Sequence, residues 1–121
     1  MTDHPAFVNH PGFAHLQPIL LEDERLEMQA VAGDAIVIVT DRRLAIADEH
    51  RLIMDTSFAN IRRIQFDIER DRPATFVVVP DAARTAPEAI PVDPERYEDF
   101  GRAIAYIGLR LSGMELEADA V

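Results

Sequence analysis

The order of secondary structure constrains the fold of this chain more than any other feature. Seven short stretches rich in β-branched and apolar residues come first, and one segment with helical periodicity follows. The stretches fall at residues 25–30, 35–40, 43–47, 51–56, 61–68, 75–79 and 89–92. Turn-forming residues such as Gly33 separate them, as in antiparallel hairpins. The pattern predicts a mostly β, seven-stranded barrel of two near-orthogonal sheets, capped by the helix.

The sequence also predicts features of individual strands. The run from Ala35 to Thr40 is continuously apolar until its last residue, which predicts a central strand covered on both faces. In the fifth stretch, Ile64, Phe66 and Ile68 alternate with polar residues and should share one face. Pro91 has no amide hydrogen, so the last strand should lie at an edge.

The helix is predicted to begin after Asp93, an N-cap candidate, and to end near Ser112 and Gly113. Its apolar stripe is expected to pack on the core. That stripe comprises Tyr97, Phe100, Ile104, Ile107 and Leu111. Gly101 and Gly108 lie beside the stripe and weaken the helix, which suggests a close approach to the sheet in compensation.

A length of 121 residues suits one core. We therefore expect an N-terminal arm at residues 1–19, a domain at 20–112 and an acidic tail at 113–121. Prolines and glycine should break any helix in the arm, although its scattered apolar residues suggest that part of it packs on the domain.

Charge and composition exclude several function classes. The formal net charge is −10, all twelve basic residues are arginine, and no long stretch is net basic. Nucleic acids and anionic membranes, including phosphoinositides, are therefore unfavourable partners. The chain has no cysteine and no apolar run long enough to span a bilayer, so a cytoplasmic location is expected. Arginine without lysine is typical of a GC-rich bacterial genome.

Three motifs resemble the pleckstrin-homology-like (PH-like) domains of bacteria. They are the opening LEDERL at residues 21–26, the hairpin IVTDRRLAI at 38–46 and FANIRRI at 58–64. GRAM-type domains share the fold and a similar hairpin. The resemblance implies a PH-like fold, which hosts lipid binding, peptide binding and self-assembly, and it brings no catalytic motif. Lipid-binding members of the wider fold use a basic pocket between the first strands. In this sequence the turn between the first two strands, residues 31–34, is acidic.

Four arginines are candidate interaction residues. Arg42 and Arg43 could form an anion or carboxylate site at a hairpin tip, but we favour a structural role in which Asp41 caps the turn and one arginine folds back on backbone or an acidic neighbour. Arg62 and Arg63 should point to opposite sides of a strand and lie on a solvated face. An arginine-rich surface at 61–90 could meet an acidic face of a second copy.

No enzyme activity, cofactor or metal site is expected. His4, His10 and His15 lie in a proline-broken arm without ligand geometry, and His50 has no evident catalytic partner. The acidic run at residues 22–24 should be a solvated lead-in.

The leading hypothesis is a non-catalytic interaction module that acts through protein contacts, with self-assembly as one form. Ile90, at a short edge strand, and Tyr106, off the apolar stripe, are candidate contact residues. The alternative is binding of a small ligand or a membrane surface at the barrel mouth.

Overall fold

The computed structural model describes residues 10–81 and 85–119, with side chains as far as Gly113. The seven strands within those residues are β1 (Leu26–Ala32), β2 (Ala35–Thr40), β3 (Arg43–Ala47), β4 (Leu52–Ser57), β5 (Ile61–Asp67), β6 (Ala74–Pro80) and β7 (Glu88–Val92). They form two sheets, the first with the order β1-β2-β3-β4 and the second with the order β5-β6-β7, and all pairings are antiparallel. The helices are α1 (Phe13–Leu16) and α2 (Tyr97–Asp119), with 3₁₀ turns at Gln17–Ile19, Phe58–Asn60 and Pro94–Arg96.

The predicted architecture of seven strands and a C-terminal helix is confirmed, but the barrel does not close. Within the described residues no ladder joins the two sheets. The chain passes from one sheet to the other through the 3₁₀ turn Phe58–Asn60. As a result β4 and β7 are both edge strands, and the predicted edge position of the strand that contains Pro91 is confirmed.

The two central strands of the first sheet, β2 and β3, are buried on both faces because they are apolar in both side-chain directions. Val37 and Val39 point into the main core, whereas Ile36 and Ile38 belong to a second cluster on the opposite face. All six residues of β2 are buried, as expected for a central strand.

Residues 10–20 cover that opposite face, which confirms the expectation that part of the arm packs on the domain. Leu16 is fully buried against Ile36 and Ile38, and Phe13 packs beside it. The segment lies so close that a Cβ atom on Gly12 would come within 3.0 Å of Ile36 Cγ2. The prediction of no helix here was wrong, because the single turn of α1 fits between Gly12 and Pro18.

Helix α2 closes the main core and packs against β1, β5 and the turn Phe58–Asn60. Phe100 and Ile107 are fully buried, and the other stripe residues pack partly buried beside them, as predicted. The rings of Phe76 and Phe100 meet edge to face with their centroids 5.2 Å apart. Within the described residues, no helix is both long and apolar enough to cross a bilayer.

Four local expectations of the sequence were wrong. The Asp93 side chain does not cap the helix. A 3₁₀ turn precedes α2, and in that turn the Arg96 amide donates a hydrogen bond to the backbone carbonyl of Asp93. The helix continues past Gly113 to Asp119, through most of the segment predicted as a tail. Ile68 lies beyond the end of β5 and is 63% exposed. Gly101 and Gly108 face open space, so no close approach explains them.

We expect Leu16→Ala to lower the free energy of unfolding by about 3 kcal/mol, since it leaves a cavity between the N-terminal segment and the sheet. Urea unfolding monitored by circular dichroism measures the change. Leu21→Ala is the matched control, because Leu21 is 50% exposed. Equal losses in the two variants would contradict the role assigned to the segment.

We expect Gly101→Ala to raise the free energy of unfolding by about 1 kcal/mol, because alanine favours the helix and its methyl group meets nothing within 4 Å. Gly33→Ala should act in the opposite direction, since Gly33 has a φ of 57°. Thermal unfolding of both variants provides the measurement, and a destabilising Gly101→Ala would show that a contact occurs at this face.

Candidate functional site

The most specific predicted motif, the Thr40–Arg43 hairpin tip, encloses a buried ion pair. Arg43 donates to both carboxylate oxygens of Glu24, from Nε at 2.9 Å and from Nη2 at 3.0 Å. The Glu24 side chain is fully buried and that of Arg43 is 17% exposed. Arg43 Nη1 reaches Asp55 on β4 at 3.2 Å, so one guanidinium joins the lead-in, the hairpin and β4.

Glu24 is satisfied at every oxygen. The Thr40 hydroxyl donates to Oε2, and the Leu21 amide donates to Oε1 at 3.1 Å. Burial by itself raises the pKa of Glu24, but hydrogen bonds from Thr40, the Leu21 amide and Arg43 outweigh it and hold that pKa below its usual range. The prediction that Glu24 lies in a solvated run was therefore wrong, while its neighbour Asp23 is exposed.

The hairpin turn is capped by Thr40 rather than by Asp41. The amides of Arg42 and Arg43 both donate to Thr40 Oγ1 at 3.0 Å. Asp41 instead accepts from the Arg25 amide. Arg42 pairs with Asp23 at 2.8 Å on the surface, so both arginines fold back on acidic neighbours, where the sequence predicted this of one.

The C-terminal helix also contacts this tip. Arg110 donates to the Asp41 carbonyl, and its guanidinium lies 5.1 Å from the centre of the Phe58 ring. Tyr106 is half-buried against the core, and burial together with the Glu27 carboxylate raises its pKa. These contacts use the hairpin tip for structure, which leaves no free arginine pair there for an anion.

The remaining predicted residues do not converge on one place. Arg62 and Arg63 are both exposed, and a register shift between Ile61 and Arg63 interrupts the alternation that was expected there. Ile90 is 6% exposed and belongs to the core. His4 and Arg84 lie outside the described residues, and within them no three histidine or acidic side chains converge to hold a metal.

An open groove follows the gap between the two sheets, and sequence reasoning missed it. Two depressions, of about 510 Å³ and 350 Å³, are both lined by Ile53 of β4. We call them together the seam groove. Strand β4 and the start of β7 line the larger depression, and the β1–β2 turn and β7 line the smaller one. No local pattern could indicate the groove, because it forms between strands distant in sequence.

The seam groove combines an apolar floor with an acidic rim. Ile53 is partly buried and packs on the core, and Met54 and Ile90 are buried beneath it. Its acidic lining residues are Asp34, Asp48, Asp55, Glu88 and Asp93. None of the described lining residues is basic.

A third cleft, of about 310 Å³, lies between the outer edge of β1 and α2. Arg96, Asp99, Arg102 and Glu27 line it, so both charge signs are present. Arg102 also pairs with Glu98 one turn earlier at 2.9 Å. This cleft therefore offers less charge selectivity than the seam groove.

Comparison with solved structures relates this architecture to a known fold. The chain is similar to the pleckstrin homology domain from Shewanella amazonensis SB2B, with a TM-score of 0.59 and 17% identity. The match covers 79% of this chain and 94% of that domain. No family model and no curated protein matches the sequence. The chain therefore has a PH-like fold, and at 17% sequence identity the likeness extends to the fold alone.

We expect Glu24→Gln to destabilise the protein by about 2 kcal/mol at neutral pH, because Arg43 loses its buried charged partner and keeps only the more exposed Asp55. The lowered pKa of Glu24 means that its stabilising effect is present above about pH 4.3, the unfolded value, and is lost as pH falls through the folded value. The difference between wild type and variant should therefore shrink on acidification. Urea unfolding at a series of pH values measures it.

Arg42→Gln is the control, since the Arg42–Asp23 pair is exposed and should contribute little. A Glu24→Gln variant as stable as wild type at neutral pH would contradict the structural role of the pair.

Proposed function

We propose that the protein is a non-catalytic interaction module that acts through protein–protein contacts, binding an extended segment of a partner protein in the seam groove. The observation that carries this proposal is the open gap between β4 and β7, two edge strands that flank an apolar floor. Edge strands present unpaired backbone groups, and extended peptides bind by adding to them. The absence of cysteine fits a reducing cytoplasm.

The two edges are unequal, because β7 contains Pro91. Pro91 lies opposite Thr75 in the ladder. Because it has no amide hydrogen, it cannot exchange both backbone hydrogen bonds with Thr75, and it offers no donor to an added strand. The open edge of β7 is therefore poor in backbone donors. Strand β4 contains no proline, so a partner segment would hydrogen-bond to β4 and pack its side chains against β7.

The groove floor offers a place for apolar side chains of such a segment. Ile53 forms part of both depressions, and Ala89 and Pro91 are exposed on the β7 wall. Alternate residues of an extended peptide point to the same side, so every second side chain could rest on this floor. Backbone pairing then supplies affinity and the floor supplies selectivity.

Three described carboxyl groups are held in the ionised form, which does not suit them to act as general acids. The pKa values of Asp23, Glu24 and Asp48 are all lowered. A carboxyl group that acts as a general acid needs a raised pKa. Glu24 is instead held as a carboxylate by Thr40 and Arg43, and Asp48 by the amides of His50 and Arg51.

A display library of extended peptides tests the proposal. We expect wild type to enrich peptides whose binding shifts backbone NMR signals of β4 and β7. Ile53→Arg should abolish enrichment, because Ile53 lines both depressions and a longer, charged side chain there would fill the groove. Ala89→Arg, at an exposed position, gives a second block that does not disturb the core.

Ile68→Arg is the matched control, because Ile68 is exposed and lies outside the groove. Absence of enrichment, or enrichment that survives both blocking variants, would refute the proposal. Light scattering across protein concentrations detects the other occupant: a dimer that Ala89→Arg dissociates would assign the groove to a second copy and overturn the proposal.

A further inference from the structure

Within the part of the chain that the structure describes, three carboxylates at the seam groove have no partner. Among the described residues, Asp34, Glu88 and Asp93 form no ion pair and their side chains accept no hydrogen bond. Resting on the proposed function, we infer that the partner segment is positively charged, with arginine or lysine side chains alternating with apolar ones. The proposal assigns the chemistry of the ligand to this groove.

The charge of the groove supports a cationic ligand. Its rim carries five acidic residues and, among the described lining residues, no basic one. Asp55 already pairs with Arg43, and Asp48 already accepts hydrogen bonds from two backbone amides of its own turn. The remaining three carboxylates, Asp34, Glu88 and Asp93, are available to a ligand. A cleft lined by one sign of charge concentrates ligands of the opposite sign.

Desolvation makes the preference stronger than simple attraction. A purely apolar segment in the groove would remove water from Asp34, Glu88 and Asp93 without replacing it, and burying an unpaired charge is unfavourable. A segment with alternating cations replaces that water with charged hydrogen bonds. Its apolar residues can meanwhile contact Ile53, because the two kinds of side chain point in opposite directions along a strand.

A second copy of this chain is a poorer occupant. In its arginine-rich segment, Arg70 and Arg72 alternate with Glu69 and Asp71, and Arg72 pairs with Glu69 at 3.3 Å. The net charge of −10 also makes two copies repel each other at long range. A heterologous basic segment has neither disadvantage.

Two short synthetic peptides serve as probes, one alternating arginine with valine and the other glutamate with valine. We expect the arginine peptide to bind with NMR shifts confined to β4, β7 and the β1–β2 turn, and to weaken as salt increases. The glutamate peptide should not bind. The triple variant Asp34→Asn, Glu88→Gln, Asp93→Asn should lower the affinity of the arginine peptide about ten-fold, since each exposed pair contributes modestly.

The control triple variant Glu22→Gln, Asp71→Asn, Glu95→Gln removes the same charge from exposed positions outside the groove. An equal loss of affinity in both triple variants would overturn the inference by showing only net-charge attraction. Library peptides that bind in the groove but carry no positive charge would also overturn it while the proposed function stands. If neither library nor synthetic peptides bind in the groove, both proposals fail.

Discussion

The ion pair between Glu24 and Arg43 is the interaction on which the arrangement of the first sheet depends. A buried carboxylate is unfavourable unless every oxygen is satisfied, and here Arg43, Thr40 and the Leu21 amide meet that condition. Because these donors come from the lead-in and the β2–β3 hairpin, the pair fixes where the chain enters β1. Its extension to Asp55 adds β4. The Thr40–Arg43 part of the motif that resembles PH-like domains therefore has a structural role.

The same arrangement determines which surfaces stay open. The N-terminal segment covers one face of the first sheet, the core and α2 cover the other, and Arg110 holds the helix to the hairpin tip. The outer edge of β1 faces α2 across a cleft of mixed charge. The gap between β4 and β7 remains, because the two sheets separate at Phe58–Asn60 without a ladder between them. Function in this fold is then expected where the framework leaves backbone unpaired.

Local patterns predicted the elements well and the long-range contacts poorly. The bounds of β2 and β3 follow directly from the sequence, since tight turns at Gly33 and Asp41 delimit continuous apolar runs. The burial of Glu24 did not follow, because its partner is nineteen residues away and a charge run usually indicates solvent. The capping role of Thr40 was likewise hidden by the adjacent Asp41. The seam groove joins the β1–β2 turn, β4 and β7, a juxtaposition that no local periodicity can reveal.

The charge at the β1–β2 turn supports the proposal of a protein ligand over a lipid-binding use of the same fold. The resemblance predicted that an anionic ligand would need a basic pocket near the β1–β2 turn, but that turn carries Asp34 and lines the acidic groove. Reversing the sign at one position reverses which ligands are rejected as well as which are attracted. An anionic headgroup would face uncompensated carboxylates, and a neutral peptide would bury them. A cationic segment avoids both penalties, so under the proposed function the groove would select its partner by the ligands that it excludes.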